Sequence, residues 1–470
     1  MMRIPGVQKK KIGVFGLGAT GVAAADALVA SGAEVFAWDE SPSAREKTAN
    51  TEYRAEHPKE WPWKELQSVV LSPGVPLTHP KPHAIVRKAV AENIEVIGDI
   101  ELFARALAAL APAARPKVVA VTGSNGKSTT TALIGHILKE AGFDAPVGGN
   151  IGRPVLSLSE PAPETVYVLE LSSFQLDLAA TFRADIAVML NLSPDHLDRH
   201  GDMAGYVAAK RRIFLNQTPE DAAIIGVDDA PSQSLCAELS AAHASRVIPV
   251  SAEGSLGRGV FSLAGKLFYN LDGKTGEAGD IRYIASLRGA HNWQNAAAAL
   301  AAAMNAGVSP AVAVKAMERF EGLPHRMEIV ARSGATIFVN DSKATNADAA
   351  ARALKSYDEI FWIAGGRAKE GGVASLRELM HKVRCAYLIG EAATEFEAQL
   401  AGAVPCMQCG DLERAVARAA RDAAQSKAMS SVVLLSPACA SYDQYKNFEE
   451  RGENFRRLAQ GAARAAGEAA

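Results

Sequence analysis

The feature that most constrains the fold of this chain is a glycine-rich loop between an apolar run and a helical pattern. The loop, Val121–Thr129, reads VTGSNGKST and follows the apolar run Lys117–Val121. Backbone N–H groups at such a helix start attract phosphate oxygens, and this arrangement is typical of parallel α/β sheets. Lys127 is expected to neutralise phosphate charge and Ser128 to bind Mg²⁺. The residues predicted to hold a nucleotide are Gly123, Ser124, Asn125, Gly126, Lys127, Ser128 and Thr129.

Strands and helices are predicted to alternate along most of the chain. Apolar runs at Lys11–Phe15 and Glu34–Trp38 enclose a helical pattern that begins at Gly21, and further apolar runs occur at Thr336–Val339 and Ile360–Ala364. Alternation of this kind predicts doubly wound parallel sheets covered by helices. The fold class is therefore α/β.

The chain is long enough for several such sheets. Its 470 residues correspond to about three domains of ~150 residues. The alanine-rich helical pattern Glu101–Ala114 is expected to connect the first two domains, and Gly322–Pro324 to mark the second boundary. We predict domains at residues 1–105, 106–323 and 324–470, and we expect the Ala/Arg-rich tail after Arg456 to fray.

Composition and charge exclude several classes of protein. Lys and Arg number 50 against 52 Asp and Glu, so the chain lacks the basic excess of nucleic-acid-binding or membrane-surface proteins. The basic N-terminal stretch leads into a glycine-rich loop, which argues against a signal peptide. The 5 cysteines are scattered, and the CxxC at Cys406 and Cys409 is interpreted as chance. We expect a cytoplasmic protein without nucleic-acid partners or membrane insertion.

A second glycine-rich loop occurs near the N-terminus. Gly16–Gly21 reads GLGATG, follows a predicted strand, and is succeeded by Asp39 at the end of the next strand. This pattern favours a diphosphate at the helix start but does not name the nucleotide. On these residues alone, an NAD-dependent dehydrogenase, a P-loop NTPase that acts as a switch or motor, and a tight turn without a ligand are alternatives. Neither of the two enzyme classes explains both glycine-rich loops.

Polar side chains follow two predicted strands of the central region. Glu170 comes at the end of Thr165–Leu171, and His196 comes after Ile186–Leu192. A carboxylate at a strand end beside a phosphate loop suits Mg²⁺, although it also suits a helix cap. His196 and His200 have the HxxxH spacing of some zinc sites, but no third ligand is evident nearby.

Three polar loops follow strands in the last third of the chain. They read NDSKATN from Asn340, GGRAKEGG from Gly365 and SPACAS from Ser436. The carboxyl ends of parallel strands meet at one edge of a sheet, so the loops are expected to converge. They supply cationic and hydroxyl groups suited to carboxylates and phosphates, namely Lys343, Thr345, Lys369 and Ser441.

Taken together, these motifs resemble the Mur ligases, the ATP-dependent amino-acid ligases of peptidoglycan assembly. Further stretches that carry the resemblance are GDIELF from Gly98, VGGNIG from Val147, LPHRME from Leu323 and the segment Ser436–Gly452. The resemblance covers nearly the whole chain. It implies a Rossmann-like N-terminal domain, a central P-loop ATPase-like domain and a Rossmann-like C-terminal domain.

Within this family, the motifs are most similar to the branch that adds D-glutamate to UDP-N-acetylmuramoyl-L-alanine. The resemblance therefore implies a monomeric ligase that uses ATP and Mg²⁺ and acts through an acyl phosphate. A sister Mur ligase specific for another amino acid, or a ligase similar to folylpolyglutamate synthetase, is the alternative.

The resemblance also implies a role for individual residues. Those expected at the catalytic centre are Lys127, Lys210, His196 and Glu170. Those expected to bind Mg²⁺ are Ser128, Glu170, His196 and a carbamylated Lys210. Those expected to contact the nucleotide outside the phosphate loop are Asn292, Asn295, Arg326 and Asp341. Those expected to bind the UDP-linked substrate are Gly18, Ala19, Thr20, Asn150 and Ser173. Those expected at the D-glutamate end are Lys343, Thr345, Lys369, Ser441 and Phe448.

Overall fold

The structure is a computed structural model that describes residues 2–46, 48, 51–368, 371–426 and 428–468. Within these residues the strands form sheets of 5, 9 and 6 strands. The chain groups into two compact units. One consists of the residues up to Ile281 with Trp293–Arg319, and the other of Arg282–Asn292 with the residues from Phe320 onward.

The first sheet is fully parallel, with the strand order β3-β2-β1-β4-β5. Helix α1 packs closely on it because its buried face consists largely of alanines. A Cβ atom on Gly21 would lie 1.7 Å from the carbonyl oxygen of Gly16, so the turn into α1 requires glycine there. The elements are β1 (Lys11–Phe15), α1 (Ala19–Ala30), β2 (Glu34–Trp38), α2 (Pro42–Glu46), β3 (Arg54–Ala55), β4 (Leu66–Leu71), α3 (Ala84–Ala91), β5 (Glu95–Ile97) and α4 (Asp99–Ala108).

The second sheet has the order β14-β13-β12-β11-β10-β9-β6-β8-β7 and is parallel except at β12-β13 and β13-β14. Its parallel strands are almost completely buried, which matches their continuous apolar sequences. The elements are β6 (Lys117–Thr122), α5 (Lys127–Glu140), β7 (Val147–Gly149), β8 (Val166–Glu170), α6 (Ser173–Asp177), β9 (Ile186–Met189), α7 (Leu197–His200), α8 (Met203–Arg211), β10 (Ala222–Gly226), α9 (Ala230–Ala242), β11 (Arg246–Ser251), β12 (Gly259–Leu263), β13 (Lys266–Leu271), β14 (Lys274–Asp280), α10 (Ala290–Ala306) and α11 (Pro310–Met317).

The third sheet lies in the second unit and has the order β15-β16-β20-β17-β18-β19, with only β15-β16 antiparallel. Apolar side chains bury both of its faces, one under α12 and α13 and the other under α14 and α15. The elements are β15 (Glu328–Ser333), β16 (Thr336–Asn340), α12 (Ala347–Ser356), β17 (Ile360–Gly365), β18 (Val383–Ile389), α13 (Ala393–Leu400), β19 (Cys406–Gly410), α14 (Leu412–Ala424), β20 (Ser431–Leu435) and α15 (Phe448–Glu468).

Most of the predicted strands match the structure to within a few residues, and two helical predictions were wrong. The helix predicted over Glu101–Ala114 ends at Ala108, because the chain turns before the separate 3-10 turn that starts at Pro112. The tail after Arg456 does not fray but continues α15 to Glu468, since this helix buries apolar side chains against the third sheet. Within the described residues, no helix has both the length and the apolar character needed to cross a bilayer.

Candidate active site

The phosphate-binding loop joins β6 to α5, as the sequence predicts. Gly123 and Gly126 have φ angles of 148° and 84°. A Cβ atom on Gly126 would lie 2.3 Å from Oδ1 of Asn295, a residue of α10. Glycine is therefore needed at this position both for the backbone angle and for the close approach of α10.

Residues that follow β9 hold the loop in shape. The N–H of Ser124 donates to the carbonyl oxygen of Asn191 at 2.9 Å, and the N–H of Asn125 donates to Oδ1 of the same asparagine at 2.8 Å. The Ser124 hydroxyl donates to the Ser193 carbonyl at 2.9 Å and lies 3.0 Å from the hydroxyl of Tyr206. These contacts fix the loop before any ligand binds, which reduces the entropic cost of binding.

Lys127 and Lys210 both contact the first glycine of the loop. Lys127 Nζ donates to the carbonyl oxygens of Gly123 and Ser124 at 2.8 and 3.0 Å. Lys210 is only 2% exposed, and its Nζ donates to the Gly123 carbonyl at 2.9 Å and lies 3.3 Å from Thr122 Oγ1. Burial, followed by the charge of Lys127, lowers the pKa of Lys210 well below its usual value. The neutral, nucleophilic amine is therefore favoured at Lys210.

Glu170 ends β8 beside the loop and offers one buried acceptor. Its Oε1 accepts a hydrogen bond from Nδ2 of Asn150 at 2.7 Å. Its Oε2 is buried and receives no hydrogen bond from the described residues. A buried carboxylate oxygen without a donor is unfavourable unless a cation approaches it, and carboxylate oxygens are ligands that Mg²⁺ prefers. This oxygen thus suits the cation predicted at Glu170.

His196 follows β9 and lies beside the same charges. Its Nε2 is 3.5 Å from Oδ2 of Asp195. Burial lowers the pKa of His196, the Asp195 carboxylate opposes this shift, and the Lys127 and Lys210 ammonium groups reinforce it. A neutral imidazole is the form that binds metals. In the part of the chain that the structure describes, His, Cys, Asp and Glu side chains do not gather in groups of three or more that suit a metal. The cation set predicted here draws instead on Ser128 and Lys210 for its other ligands.

The N-terminal glycine-rich loop is held by its acidic partner. Asp39 Oδ2 accepts from the N–H of Leu17 at 2.6 Å, and Oδ1 accepts from the N–H of Ser41 at 2.8 Å. In dinucleotide-binding proteins, the corresponding carboxylate binds the ribose 2′-hydroxyl. Here both oxygens are engaged by the backbone, which weakens the dehydrogenase interpretation. Gly18 precedes α1, and Ala19 and Thr20 form its first turn.

An aromatic cavity of about 470 Å³ lies near the carboxyl ends of β1 and β2. Its wall includes the rings of Phe15, Trp38 and Trp63, together with imidazoles and lysine side chains. His57 packs edge-to-face against Trp38 with ring centroids 4.9 Å apart. Flat rings of this kind suit a planar ligand, because aromatic groups stack favourably with their faces offset.

In the second unit, Asp341 follows β16 and is almost completely buried. Its Oδ2 accepts from the Ser436 hydroxyl at 2.8 Å and its Oδ1 from the N–H of Met327 at 3.2 Å. Burial raises the pKa of Asp341 to about 7, although these hydrogen bonds and the charges of Arg326 and Arg352 act in the opposite direction. Asp341 and Arg326 therefore interact, as expected if both serve the same nucleotide.

The three strand-end loops of the second unit meet. Arg451 is 1% exposed and its guanidinium donates to the carbonyl oxygens of Ser342 and Cys439 at 2.8 and 3.1 Å. The N–H of Arg367 donates to the Ala440 carbonyl at 2.9 Å, which joins the third loop. One buried arginine of α15 thus connects the loops after β16 and β20.

The residues predicted at the D-glutamate end have different positions around these loops. Lys343 Nζ lies 3.9 Å from the ring centroid of Phe448. Ser441 is buried, and Thr345 is partly exposed. Lys369 lies outside the described residues. The structure thus brings Lys343 and Phe448 together, and the roles of all five residues stay predictions.

The other predicted residues divide between the two units. Asn150, Ser173 and Asn295 lie in the first unit with the phosphate loop, whereas Asn292, Arg326 and Asp341 belong to the second. Sequence reasoning missed several residues that hold the site, namely Asn191, Tyr206 and Arg451, and it considered His200 only as the second histidine of an HxxxH pair. Tyr206 was detectable, because it precedes Lys210 by four residues and so lies on the same face of α8.

Together, the sheets and the phosphate loop define an α/β enzyme that binds a nucleotide at a strand–loop–helix site. The chain belongs to the Mur ligase family. Family models match along its length: the Mur ligase MurD-like N-terminal domain at residues 10–98, the Mur ligase middle domain at 121–303 and the Mur ligase glutamate ligase domain at 325–439. The chain is therefore a ligase, and the resemblance inferred from the motifs is confirmed.

Two relatives illustrate this membership. The UDP-N-acetylmuramoylalanine–D-glutamate ligase of Caulobacter vibrioides is 53% identical over 470 residues and 100% of both chains. The enzyme of the same name from Phenylobacterium zucineum is 51% identical over 99% of this chain and 100% of its own.

The solved structures are more distant in sequence. MurF from Acinetobacter baumannii has a TM-score of 0.56 at 19% identity, over 92% of this chain and 86% of its own. MurC from Thermotoga maritima has a TM-score of 0.55 at 18% identity, over 96% of this chain and 99% of its own. These structures show the fold, and the predicted α/β class with three domains is confirmed. The residue boundaries of the domains stay predictions.

Proposed function

We propose that this ligase adds D-glutamate to UDP-N-acetylmuramoyl-L-alanine with ATP as the energy source, in peptidoglycan synthesis. The observation that carries the proposal is the 53% identity over the full length of both chains with an enzyme of that name. The phosphate loop and the buried Lys210–Glu170 region supply chemistry that fits it. We further propose that the protein acts as a cytoplasmic monomer.

An amide does not form from a carboxylate and an ammonium in water without activation. In the proposed reaction, an oxygen of the L-alanyl carboxylate attacks the γ-phosphorus of ATP, and ADP leaves. The D-glutamate amine then attacks the acyl carbon, inorganic phosphate leaves, and the amine loses a proton. Both partners of the first step are anions, so electrostatic stabilisation at the γ-phosphate is the main requirement.

Lys127 and the backbone of the phosphate loop meet this requirement on the protein side. The Lys127 ammonium lies over the loop, where it can move to a γ-phosphate oxygen. Ser128, Glu170 and His196 are proposed to hold Mg²⁺ with a modified Lys210, and the bare buried Oε2 of Glu170 supports this set. When bound, the cation would offset the charge of the phosphates.

Lys210 is proposed to carry a carbamate. An ammonium repels Mg²⁺ and a neutral amine is a poor ligand for it, whereas a carbamate supplies an oxygen. The buried amine is favoured in its neutral form, which attacks CO₂ and loses a proton as the N–C bond forms. Its nearest partners, the Gly123 carbonyl and Thr122 Oγ1, are both neutral. Among the residues that the structure describes, its hydrogen-bond contacts thus do not include a carboxylate that would fix a positive charge.

The UDP-linked substrate is proposed to bind the first domain and the facing strand ends of the second sheet. Gly18, Ala19 and Thr20 provide a helix start for the diphosphate, and the aromatic cavity beside β1 and β2 suits stacking of the base. Asn150 and Ser173 are proposed to contact the sugar end of this substrate.

D-Glutamate and the adenosine end of ATP are proposed to use the second unit. Lys343, Thr345, Lys369, Ser441 and Phe448 are proposed for the amino acid. Asn292, Asn295, Arg326 and Asp341 are proposed for the nucleotide. D-Glutamate brings two carboxylates, and the cationic and hydroxyl groups of these loops suit them.

An omission experiment tests the proposed reaction class. Phosphate release is measured with ATP, the UDP-linked substrate and D-glutamate, and again with each one left out. The proposal expects release only with the complete mixture. Release from ATP alone would favour an NTPase, and nicotinamide reduction without phosphate release would favour a dehydrogenase. Comparable activity with folate and L-glutamate would assign the chain to the folylpolyglutamate synthetase branch.

A further inference from the structure

His200 is buried and is contacted at both ring nitrogens. Its Nε2 lies 2.9 Å from Oγ of Ser173, and its Nδ1 lies 3.3 Å from Oδ2 of Asp177. A carboxylate 3.3 Å away favours the tautomer with its proton on Nδ1, and in that tautomer Nε2 accepts from the serine hydroxyl. The imidazole is therefore held in one orientation by contacts at both nitrogens.

Phe174 connects this fixed ring to His196. The Phe174 ring stacks on His200 with centroids 5.4 Å apart and an interplanar angle of 15°. It also lies 4.9 Å from the ring of His196. On the same phenylalanine, the guanidinium of Arg199 lies 4.5 Å from the centroid. The surface against which His196 packs is thus held by two other side chains of α7.

The backbone of His196 has a conformation that requires support. Its φ and ψ angles are 53° and 31°, in the left-handed region. A residue with a Cβ atom keeps such angles only where surrounding contacts determine them. The His196 carbonyl accepts from the N–H groups of Arg199 and His200 at 3.0 and 3.2 Å. His200, which Ser173 and Asp177 contact, therefore also holds His196 directly through a backbone hydrogen bond.

We propose that Ser173, Asp177 and His200 form a positioning set that holds His196 in its left-handed conformation toward the phosphate loop. This inference depends on the proposed function in one respect only, because that function places His196 beside the reacting phosphates. His200 closes the last turn of α7 while His196 begins it, so a loss of the His200 anchor frees the whole turn. Ser173 accordingly acts through His200, in addition to the substrate role proposed above.

A double-mutant cycle tests this coupling in the full-length enzyme. His200→Ala and Asp177→Asn are expected to lower kcat about 10- to 100-fold, as is typical for residues that orient a ligand residue, with little change in KM for D-glutamate. In a His196→Ala background, the same substitutions are expected to cause no further loss. Additive losses would show that the set acts elsewhere and would overturn the proposal. Asp177→Asn keeps His200 in place, so the cycle stays informative if His200→Ala fails to fold.

Two readouts do not depend on turnover. NMR of selectively labelled histidine reports the His196 Cα shift and the His200 tautomer in the protein without ligands. Wild type is expected to show a left-handed His196 and a proton on His200 Nδ1, and Asp177→Asn is expected to change both. Binding of Mn²⁺ with a non-hydrolysable ATP analogue is expected to weaken about 10-fold in the same variant. Unchanged signals and unchanged Mn²⁺ binding would contradict the positioning role, even if the enzyme proved to use another substrate.

His243 supplies the matched control. It is exposed and has a φ of 51° at the end of α9. It belongs neither to the positioning set nor to the proposed Mg²⁺ ligands. His243→Ala is expected to keep kcat, Mn²⁺ binding and the His196 signals of the wild type. A similar loss in this variant would mean that removal of any left-handed histidine perturbs the enzyme, and the specific claim would fail.

Discussion

Lys210 Nζ donates a hydrogen bond of 2.9 Å to the carbonyl oxygen of Gly123, the first glycine of the phosphate loop. This contact places a buried amine from α8 directly beside the loop that is proposed to bind ATP. Burial and the neighbouring Lys127 charge disfavour its ammonium more than the Asp195 and Glu170 carboxylates favour it, so the pKa of Lys210 is lowered. Chemistry at Lys210 is therefore coupled to the phosphate site.

Lys210→Ala tests the carbamate. The substitution removes the proposed oxygen ligand and is expected to lower kcat at least about 100-fold, in the range seen when a group that stabilises transferring phosphate charge is lost. Short carboxylates such as acetate, added at high concentration, are expected to restore part of the activity. The control is Arg211→Ala, at the exposed next position of α8, which should neither lose activity nor respond to acetate. Absence of a ¹³C carbamate signal from wild type in ¹³CO₂ would contradict the assignment.

Lys127→Ala tests the ATP site. Loss of the ammonium is expected to abolish ATP-dependent phosphate release, a decrease of about 100-fold or more, while circular dichroism and melting temperature stay near those of wild type. Lys139→Ala, on the exposed last turn of the same helix, is the control and should keep full activity. Near-normal turnover in Lys127→Ala would show that the loop does not serve ATP.

Gly126→Ala separates backbone strain from the close approach of α10. Gly126 and Gly142 have similar φ angles of 84° and 90°, but only a Cβ on Gly126 would meet Asn295. Gly126→Ala and the control Gly142→Ala are both expected to lose about 1 kcal/mol of folding stability from backbone strain. Only Gly126→Ala should raise KM for ATP. We expect an increase of about tenfold or more, because a clash with Asn295 that costs at least ~1.4 kcal/mol of binding free energy weakens binding by that factor. Equal kinetic effects in the two variants would contradict a specific role for this approach.

Much of the fold follows from sequence pattern, because buried parallel strands are short apolar runs between helical segments. Lys11–Phe15 and Glu34–Trp38 have the predicted bounds. The strand predicted over Ile186–Leu192 instead ends at Met189, since Asn191 leaves the sheet to hold the phosphate loop. Such an ending depends on a contact between distant segments, which periodicity does not encode.

The candidate site was predictable where one segment carries its own chemistry. The residues Gly123–Thr129 form a recognisable loop, and Glu170 and His196 stand at strand ends beside it. Arg451 was missed, and His200 was considered only as part of an HxxxH pair, because the roles of both residues come from burial and from partners far along the chain. The tail after Arg456 was also misjudged, since its alanines are spaced to pack on the sheet and not to remain in solvent.

Asp341→Asn tests the electrostatics of the second unit. Burial raises the pKa of Asp341 from 3.8 to about 7 in the folded state, so the folded protein retains a proton that the unfolded chain has lost. The contribution of this group to the free energy of unfolding is fully present below pH 3.8 and is lost as the pH rises to 7. The asparagine variant lacks this loss, so its stability relative to wild type should grow over this window by about 4 kcal/mol at most, and then stay constant.

The measurement for Asp341→Asn is urea denaturation of both proteins at several pH values from 4 to 8. A stability difference that does not change over this range would contradict the raised pKa. The same variant is expected to raise KM for ATP, because the carboxylate is proposed to contact the nucleotide. Ser431→Ala is the control: it removes a buried hydroxyl of the same sheet that contacts Thr336, without a titrating group.

The most direct test of the central claim is the amino-acid specificity of the complete reaction. The purified protein is incubated with ATP and UDP-N-acetylmuramoyl-L-alanine, and phosphate release and product mass are measured with D-glutamate, L-glutamate, D-alanine, L-lysine and meso-diaminopimelate in turn. A site whose buried donors require two carboxylates rejects amino acids that leave them unpaired, by as much as ~10⁴-fold. The account predicts a product one glutamyl residue heavier with D-glutamate and little turnover with the others. Comparable turnover with meso-diaminopimelate or L-lysine would contradict it and assign the chain to a sister Mur ligase.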